Sequence, residues 1–230
     1  MHTGIIRSTD NPIVYVVDDD PDVREGLKDL FESVGLKSQV FGSATEFLSK
    51  KLPDEVSCLI LDVRLPGVSG LDFQAALAAA QIRIPIIFIT GHGDIPMTVK
   101  AMKAGAVEFL TKPVREQDLL DAVRAALDRD RSRREFDQET QELRARFEGL
   151  SARELQIMTL VTSGLMNKQI AGEIGVSEVT VKVHRHNVMK KLGARSLADM
   201  VRIADLLNVS QKRLPAAAAD RTRLLTQPKS

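Results

Sequence analysis

The sequence is poor in the features that mark secreted, membrane-spanning and nucleotide-hydrolysing proteins. A single cysteine among 230 residues excludes an intramolecular disulfide. No stretch approaches the roughly 18 uninterrupted apolar residues of a membrane helix, and the apolar segment near the start is too short for a secretory signal. A GxxxxGK[ST] phosphate-binding loop is missing as well. We therefore expect a cytoplasmic protein without membrane contact, in which Cys58 is a buried structural thiol.

Charge is distributed unevenly, although the formal net charge is only +1. Residues 1–128 contain 13 Lys and Arg against 19 Asp and Glu, whereas residues 129–230 contain 19 against 12. An acidic half followed by a basic half favours a cation or phosphate site in the first and a polyanionic partner for the second. The length allows two domains of ordinary size.

Short apolar strands alternate with amphipathic helices in the first half of the chain. The pattern begins with the strand IVYVVD (13–18) and ends with the helix REQDLLDAVRAAL (115–127), which makes five strand–helix units. Ser43 and Glu46 form a predicted capping box at the start of the second helix. Such alternation predicts a parallel sheet that is covered by helices on both faces.

Polar residues follow four of the five predicted strands at the point where each strand ends: Asp18, Asp19 and Asp20 after the first, Asp62 after the third, Thr90 at the end of the fourth and Lys112 after the fifth. The carboxyl ends of parallel strands meet at one edge of the sheet, where ligands bind. Neighbouring carboxylates repel one another, and Mg²⁺ with its oxygen ligands would compensate them. Solvated loop acids would explain one such position but not four together.

The stretch 129–148 is dense in charge, lacks Pro and Gly, and favours a helix. Phe136, Leu143 and Leu150 are spaced seven residues apart, and Phe147 falls near a d position of a heptad. The stretch is therefore either a short dimerising coil or a solvated helical linker.

The last part of the chain has an all-helical pattern. A second capping box, Ser151 with Glu154, opens the first helix, and Asn167 is predicted to cap the second. Ser177 caps the third helix, and a fourth follows over SLADMVRIADLLN (196–208). A helix, a glycine-containing turn and a further helix describe a helix-turn-helix. Residues 209–230 are expected to form a disordered tail.

These motifs resemble a known family. Residues 13–127 resemble the receiver domains of two-component response regulators, and 149–208 resemble the LuxR/NarL-type DNA-binding domain, with 128–148 as a charged helical linker. The stretches TGHGD and AMKAGAVEFLTKP look most like FixJ-type regulators. The resemblance implies a flavodoxin-like (βα)5 receiver domain, followed by a four-helix domain that contains the helix-turn-helix.

In the receiver half, the resemblance makes Asp62 the phosphoacceptor. It assigns Mg²⁺ to Asp18, Asp19, Asp62 and the backbone carbonyl of Arg64. Thr90 would hydrogen-bond the phosphoryl group, Lys112 would pair with one of its oxygens, and Phe109 would occupy the aromatic switch position. The bond between Lys112 and Pro113 is expected to be cis.

In the basic half, the helix after Ser177 would enter the major groove of DNA. The resemblance places Lys182, Val183 and His186 near base edges, and Arg185 on the same helix is also expected to contact DNA. Lys182 and Lys190 are expected to contact phosphates or bases, and Ser177 and Thr180 to contact phosphate near the start of the helix. An amphipathic helix is the alternative, in which Val179, Val183 and Met189 are core residues. His184 and His186 are two residues apart and should not form a metal site.

The predicted function is that of a phosphorylation-controlled transcription regulator rather than an enzyme. Its partners would be a sensor histidine kinase, promoter DNA, a second copy of the chain on phosphorylation, and RNA polymerase. A dehalogenase-like phosphatase would need a second acid two residues after Asp62, where Arg64 stands. A pure interaction module is the third alternative. Activation by release of interdomain inhibition and activation by dimerisation are equally compatible with the sequence.

Overall fold

The computed structural model describes residues 11–91, 93–207 and 209 of the chain. Contacts between residues divide the chain into two compact units on either side of the bond between Phe136 and Asp137. Within the described ranges, no helix is both long enough and apolar enough to cross a membrane. His92 and all but Val209 of the predicted tail lie outside the described residues.

The first unit is built on five parallel strands. They are β1 (Ile13–Val17), β2 (Lys37–Phe41), β3 (Ser57–Asp62), β4 (Ile86–Thr90) and β5 (Glu108–Thr111). In the sheet they lie in the order β2-β1-β3-β4-β5. The helices that follow them are α1 (Pro21–Ser33), α2 (Ala44–Ser49), α3 (Gly70–Ala79), α4 (Ile95–Lys103) and α5 (Glu116–Glu148). This arrangement confirms the predicted flavodoxin-like fold class.

The three central strands are buried on both faces. Successive side chains of a strand point to opposite faces, so Leu59 and Leu61 enter one core cluster with Tyr15. Ile60 enters the other cluster, together with Cys58. The predicted structural thiol is confirmed: Cys58 is fully buried, and burial raises its pKa.

A capping interaction opens α2, although it differs in one detail from the predicted box. The hydroxyl of Ser43 accepts a hydrogen bond from the amide of Glu46 at 3.2 Å, as expected. The carboxylate of Glu46 accepts from the amide of Gly42 at 2.7 Å rather than from that of Ser43. The predicted reciprocal bond is therefore wrong by one residue, because the carboxylate reaches past the cap to the preceding amide.

The second unit is helical, with α6 (Ala152–Thr162), α7 (Asn167–Ile174), α8 (Glu178–Leu192) and α9 (Leu197–Leu206). Its core includes Ile157, Ile170, Val188 and Met200, all fully buried. The capping box of Ser151 and Glu154 is confirmed in both directions. Helices α7 and α8 form the predicted helix-turn-helix, in which Gly175 ends α7 with φ 68°.

The predicted cap of α7 is wrong by one residue. Met166, not Asn167, is the capping residue, and its backbone N–H donates to the side chain of Gln169 at 2.8 Å. Asn167 is the first residue of the helix. Its side-chain oxygen instead accepts a hydrogen bond from Arg185 of α8 at 2.6 Å, which ties the two helices together.

The charged stretch 128–148 lies inside α5. Of its heptad residues, Phe147 packs against the core of the second unit, as does Leu150 just beyond the helix. Phe136 is 55% exposed. A dimerising seam through all of the predicted heptad positions would compete with this packing. The assignment of the stretch as a linker stays a prediction.

Candidate functional site

The predicted polar residues meet at the carboxyl edge of the sheet. The register of β1 against β3 puts Asp18 beside Asp62. The registers of β3 against β4 and of β4 against β5 bring Thr90 and Lys112 to the same edge. We call Asp18, Asp19, Asp62, Thr90 and Lys112 together the carboxyl-edge site.

An ammonium group joins the two carboxylates at the centre of this site. Lys112 Nζ donates to Asp18 Oδ2 at 2.7 Å and to Asp62 Oδ2 at 3.0 Å. The side chain of Asp18 is fully buried, whereas that of Asp62 is 10% exposed. Burial raises the pKa of Asp18 in spite of its bond from Lys112. Burial opposes the charge of Lys112, but its hydrogen bonds to Asp18 and Asp62 outweigh this and raise its pKa.

The acidic residues of the site also have the arrangement of a candidate cation site. Asp18, Asp19 and Asp62 each present one carboxylate oxygen, and these oxygens lie within 4.8 Å of one another. Asp62 Oδ1 accepts the backbone N–H of Arg64 at 3.0 Å, which orients the carboxylate. Three clustered carboxylate oxygens are the donors that Mg²⁺ prefers. The residues present therefore fit this ion.

Two residues that the sequence reasoning missed shape the backbone of the site. Arg24 Nη1 on α1 donates to the carbonyl oxygen of Asp18 at 2.7 Å. Gly70, the first residue of α3, lies so close to β3 that a Cβ atom there would be 2.4 Å from the carbonyl oxygen of Asp62. A glycine after an apolar strand is a sequence signal for the close approach of Gly70, whereas no local pattern predicts the hydrogen bond from Arg24.

Phe109 lies on β5 beside the carboxyl-edge site. Its ring is partly buried and packs against the core cluster of Leu59 and Leu61. The ring centroids of Phe109 and Phe88 are 6.0 Å apart. The peptide bond between Lys112 and Pro113 is cis, as expected.

One side of α8 is exposed to solvent. Lys182, Val183, His186 and Lys190 all lie on it, at spacings that place residues on a common helix face. Val179 and Val183 are 69% and 53% exposed, so the alternative that these two residues are core is wrong. Only Met189 among the three proposed core residues packs against the core of the unit.

The remaining predicted DNA-contact residues of α8 already have partners within the second unit. Ser177 caps the helix by accepting the amide of Thr180 at 3.1 Å, and the two hydroxyls lie 2.9 Å apart. Arg185 is partly buried and donates to Asn167. His184 is partly buried whereas His186 is exposed.

Known proteins resemble both parts of the chain, the part with the sheet and the helical part. The family model of the response regulator receiver domain matches residues 14–124. The family model of the bacterial regulatory proteins, luxR family, matches residues 148–211. Nodulation protein W of Bradyrhizobium diazoefficiens is 58% identical over 207 residues, which make up 90% of this chain and 91% of the relative. The chain is a response regulator. It belongs to the family that joins a receiver domain to a LuxR-type DNA-binding domain.

Two further relatives support the membership of this response regulator in the family. The transcriptional regulatory protein FixJ of Azorhizobium caulinodans is 43% identical over 197 residues, or 86% of this chain and 93% of the relative. A low-resolution structure of the response regulator StyR matches with a TM-score of 0.74 and 52% identity, covering 85% of this chain and 98% of the other. The predicted family, fold class and general function are therefore confirmed.

Proposed function

We propose that a sensor histidine kinase phosphorylates Asp62, and that the phosphoryl group controls dimerisation and sequence-specific binding to promoter DNA. The observation that supports this most directly is the position of Lys112, which bonds the carboxylates of Asp18 and Asp62 at the end of a buried strand. Because the side chain of Asp62 is 10% exposed, a phosphodonor can approach it from solvent.

The transfer is a displacement at phosphorus. An oxygen of Asp62 forms the new bond to phosphorus, while the bond from phosphorus to the donor's leaving group breaks and its electron pair departs with that group. The ammonium of Lys112 offsets the negative charge that the phosphoryl group brings to the carboxylates. The amide of Arg64 holds the other Asp62 oxygen in place.

Asp18, Asp19, Asp62 and the backbone carbonyl of Arg64 are the residues that would hold Mg²⁺ here. When bound, the ion supplies positive charge that orients and stabilises the phosphoryl oxygens. The three side-chain ligands are supported by the clustering of their oxygens, and the carbonyl of Arg64 follows from the family resemblance.

Thr90 and Phe109 would convert phosphorylation into a change of surface. The phosphoryl group adds about −1.5 to −2 units of charge and new acceptor oxygens. Thr90, which ends β4 at the same edge, moves toward these oxygens, and the ring of Phe109 turns inward behind it. Two packings that differ by a few kcal/mol are sufficient for such a switch.

In the second unit, α8 would enter the major groove of DNA. The exposed side chains of Lys182, Val183 and His186 reach base edges, and that of Lys190 contacts phosphate. Ser177 and Thr180 contact phosphate at the start of the helix. Arg185 donates one N–H group to Asn167 and would contact DNA with its remaining donors. Residues 149–208 hold eight basic against five acidic side chains, a mild excess that suits specific rather than nonspecific binding.

The further partners are a second copy of the chain and RNA polymerase. Two phosphorylated copies bind an inverted-repeat site, where RNA polymerase is the further partner. The protein acts in the cytoplasm, where its DNA target lies, and it regulates transcription without turnover of an external substrate.

A binding selection tests the proposal. The full chain, phosphorylated with a small-molecule phosphodonor and Mg²⁺, is incubated with a random-sequence DNA duplex library, and the affinity for the selected duplex is measured by fluorescence anisotropy. We expect phosphorylated wild type to bind about tenfold tighter than unphosphorylated wild type, and Asp62→Asn to show no response. Lys182→Ala should weaken binding by about 1–3 kcal/mol.

The matched control is Arg202→Ala, which removes the same charge from an 80% exposed side chain on α9. Affinity within about twofold of wild type is expected for this variant. Failure to enrich any sequence would favour an interaction module instead. Equal effects of Lys182→Ala and Arg202→Ala would contradict the assignment of α8 as the DNA-contacting helix.

A further inference from the structure

The loop between β4 and α4 approaches the ring of Phe109 unusually closely. A Cβ atom built on Gly93 would lie 2.8 Å from Cε1 and 3.4 Å from Cζ of this ring. The same Cβ would lie 3.3 Å from Cγ2 of Thr90. The space that a side chain at position 93 would need is therefore taken up by the two residues of the proposed switch.

Steric contact, rather than backbone conformation, opposes a side chain at this position. Gly93 is not among the glycines with positive φ, so its backbone conformation is open to other residues. Carbon atoms attract one another best at about 3.5–4.0 Å, and a separation of 2.8 Å is strongly repulsive. Because Thr90 is fully buried and ends a central strand, the ring of Phe109 is the part that must move.

We propose that Gly93 is a positioning residue of the switch: its missing side chain lets the Phe109 ring rest against the β4–α4 loop and beside Thr90. This inference rests on the proposed function for the roles of Thr90 and Phe109, but the contact itself does not. An alanine at position 93 displaces the ring, so that phosphorylation of Asp62 is no longer transmitted to DNA binding.

The same loop offers a matched control. Gly91 lies two residues earlier, also without positive φ, and a Cβ there would meet no heavy atom of the described residues within 4 Å. Gly91→Ala therefore makes the same chemical change, with the same loss of loop flexibility, but without the contact to the ring.

The position of the ring is measured by ¹⁹F NMR on the full chain labelled with 4-fluorophenylalanine. The chain has eight phenylalanines, and the signal of Phe109 is identified by its loss in Phe109→Leu. Without phosphodonor, we expect this signal to shift in Gly93→Ala and to stay at the wild-type position in Gly91→Ala. An unshifted signal in Gly93→Ala, or an equal shift in both variants, would overturn the proposal.

The coupling is measured next, as the ratio of DNA affinities with and without phosphodonor. We expect this ratio to fall about fivefold or more in Gly93→Ala, with normal phosphorylation of Asp62 by intact mass, and to remain near wild type in Gly91→Ala. A displaced ring with an unchanged ratio would refute the positioning role. If wild type itself acquires no phosphoryl group, the proposed function fails, while the NMR comparison still decides whether Gly93 positions the ring.

Gly93→Ala could also reduce the stability of the first unit. The double variant Gly93→Ala/Phe109→Leu separates the two effects, because the smaller leucine removes the ring atoms that the Cβ meets. If the ring contact is the cause, Gly93→Ala should lower stability less in the Phe109→Leu background than in wild type, and an equal loss in both backgrounds would contradict the steric argument.

Discussion

Replacement of Asp130 by Asn removes a charge that is almost completely buried in the first unit. Asp130 lies on α5, is 1% exposed, and accepts hydrogen bonds from the amide of Ser57 at 3.1 Å, from Arg133 Nη2 at 2.6 Å and from Arg134 Nε at 2.6 Å. Arg134 also bonds Asp54, in the loop before β3. This network, the Asp130 clamp, joins α5 to the start of β3.

The expected loss of stability follows from the exposure of the partners. Removal of one partner from a buried ion pair costs about 3–5 kcal/mol. The side chains of Arg133 and Arg134 are 30% and 26% exposed, so water solvates them in the variant. The amide oxygen of Asn can still accept from Ser57. We therefore expect the local opening free energy to fall by about 2 kcal/mol.

Hydrogen exchange measures this loss in the full chain. A decrease of about 2 kcal/mol corresponds to roughly 30-fold faster exchange of the Ser57 amide. Trypsin should also cleave more rapidly after Arg133 and Arg134. The control is Asp128→Asn. The carboxylate of Asp128 is 75% exposed and pairs with Arg131 on the same helix, so its removal should lower the opening free energy by less than about 0.5 kcal/mol. Equal exchange rates in the two variants would refute the clamp.

Three further predictions address other parts of the chain. Gly70→Ala should lower the free energy of unfolding of the first unit by about 2 kcal/mol, because the added Cβ would lie 2.4 Å from a backbone oxygen. Gly26→Ala, in open space on α1, should raise this free energy by about 0.5–1 kcal/mol. Urea unfolding, followed through the amide NMR signals of β3, measures the two variants, and equal effects would contradict the contact at Gly70. Hydrogen bonds from Lys191 and from the Ser151 amide lower the pKa of Glu154 from 4.5 to about 2. The stabilisation from Glu154 is therefore complete above pH 4.5 and is lost as the pH falls toward 2. Glu154→Gln should cost about 2 kcal/mol at pH 7 and little at pH 2, measured by urea unfolding of α6, and a pH-independent difference would contradict the assignment. Cys58 should react with a disulfide reagent only in denaturant, and rapid reaction of the native chain would contradict its burial.

Most features with a local sequence pattern were predicted well, although the capping bond of Glu46 and the cap of α7 each lie one residue away from the predicted position. The alternation of apolar strands and amphipathic helices indicated the parallel sheet, and the polar residues after the strands indicated the carboxyl-edge site. The capping box of Ser151 and Glu154 is also local, because its two bonds join residues three positions apart. In each case the physical cause lies within one element, or in the common direction of parallel strands.

Features that join distant residues were missed. The bond from Ser57 to Asp130 spans 73 positions of the sequence. Asp130 itself stands in a run of charged residues that is typical of a solvated helix. The contact between Gly93 and Phe109 likewise depends on how a loop approaches the neighbouring strand, which no periodic pattern in the sequence indicates.

Asn167 was assigned as a cap from its residue type, but Gln169 stabilises an earlier start of the helix through the Met166 amide.

Intact mass of the full chain after incubation with a small-molecule phosphodonor shows whether Asp62 accepts the phosphoryl group. Wild type and Asp62→Asn are compared, each with and without Mg²⁺. We expect one phosphoryl adduct on wild type in the presence of Mg²⁺, its loss on removal of the ion, and none on Asp62→Asn. An adduct of equal yield on Asp62→Asn would contradict the assignment of Asp62 as the phosphoacceptor.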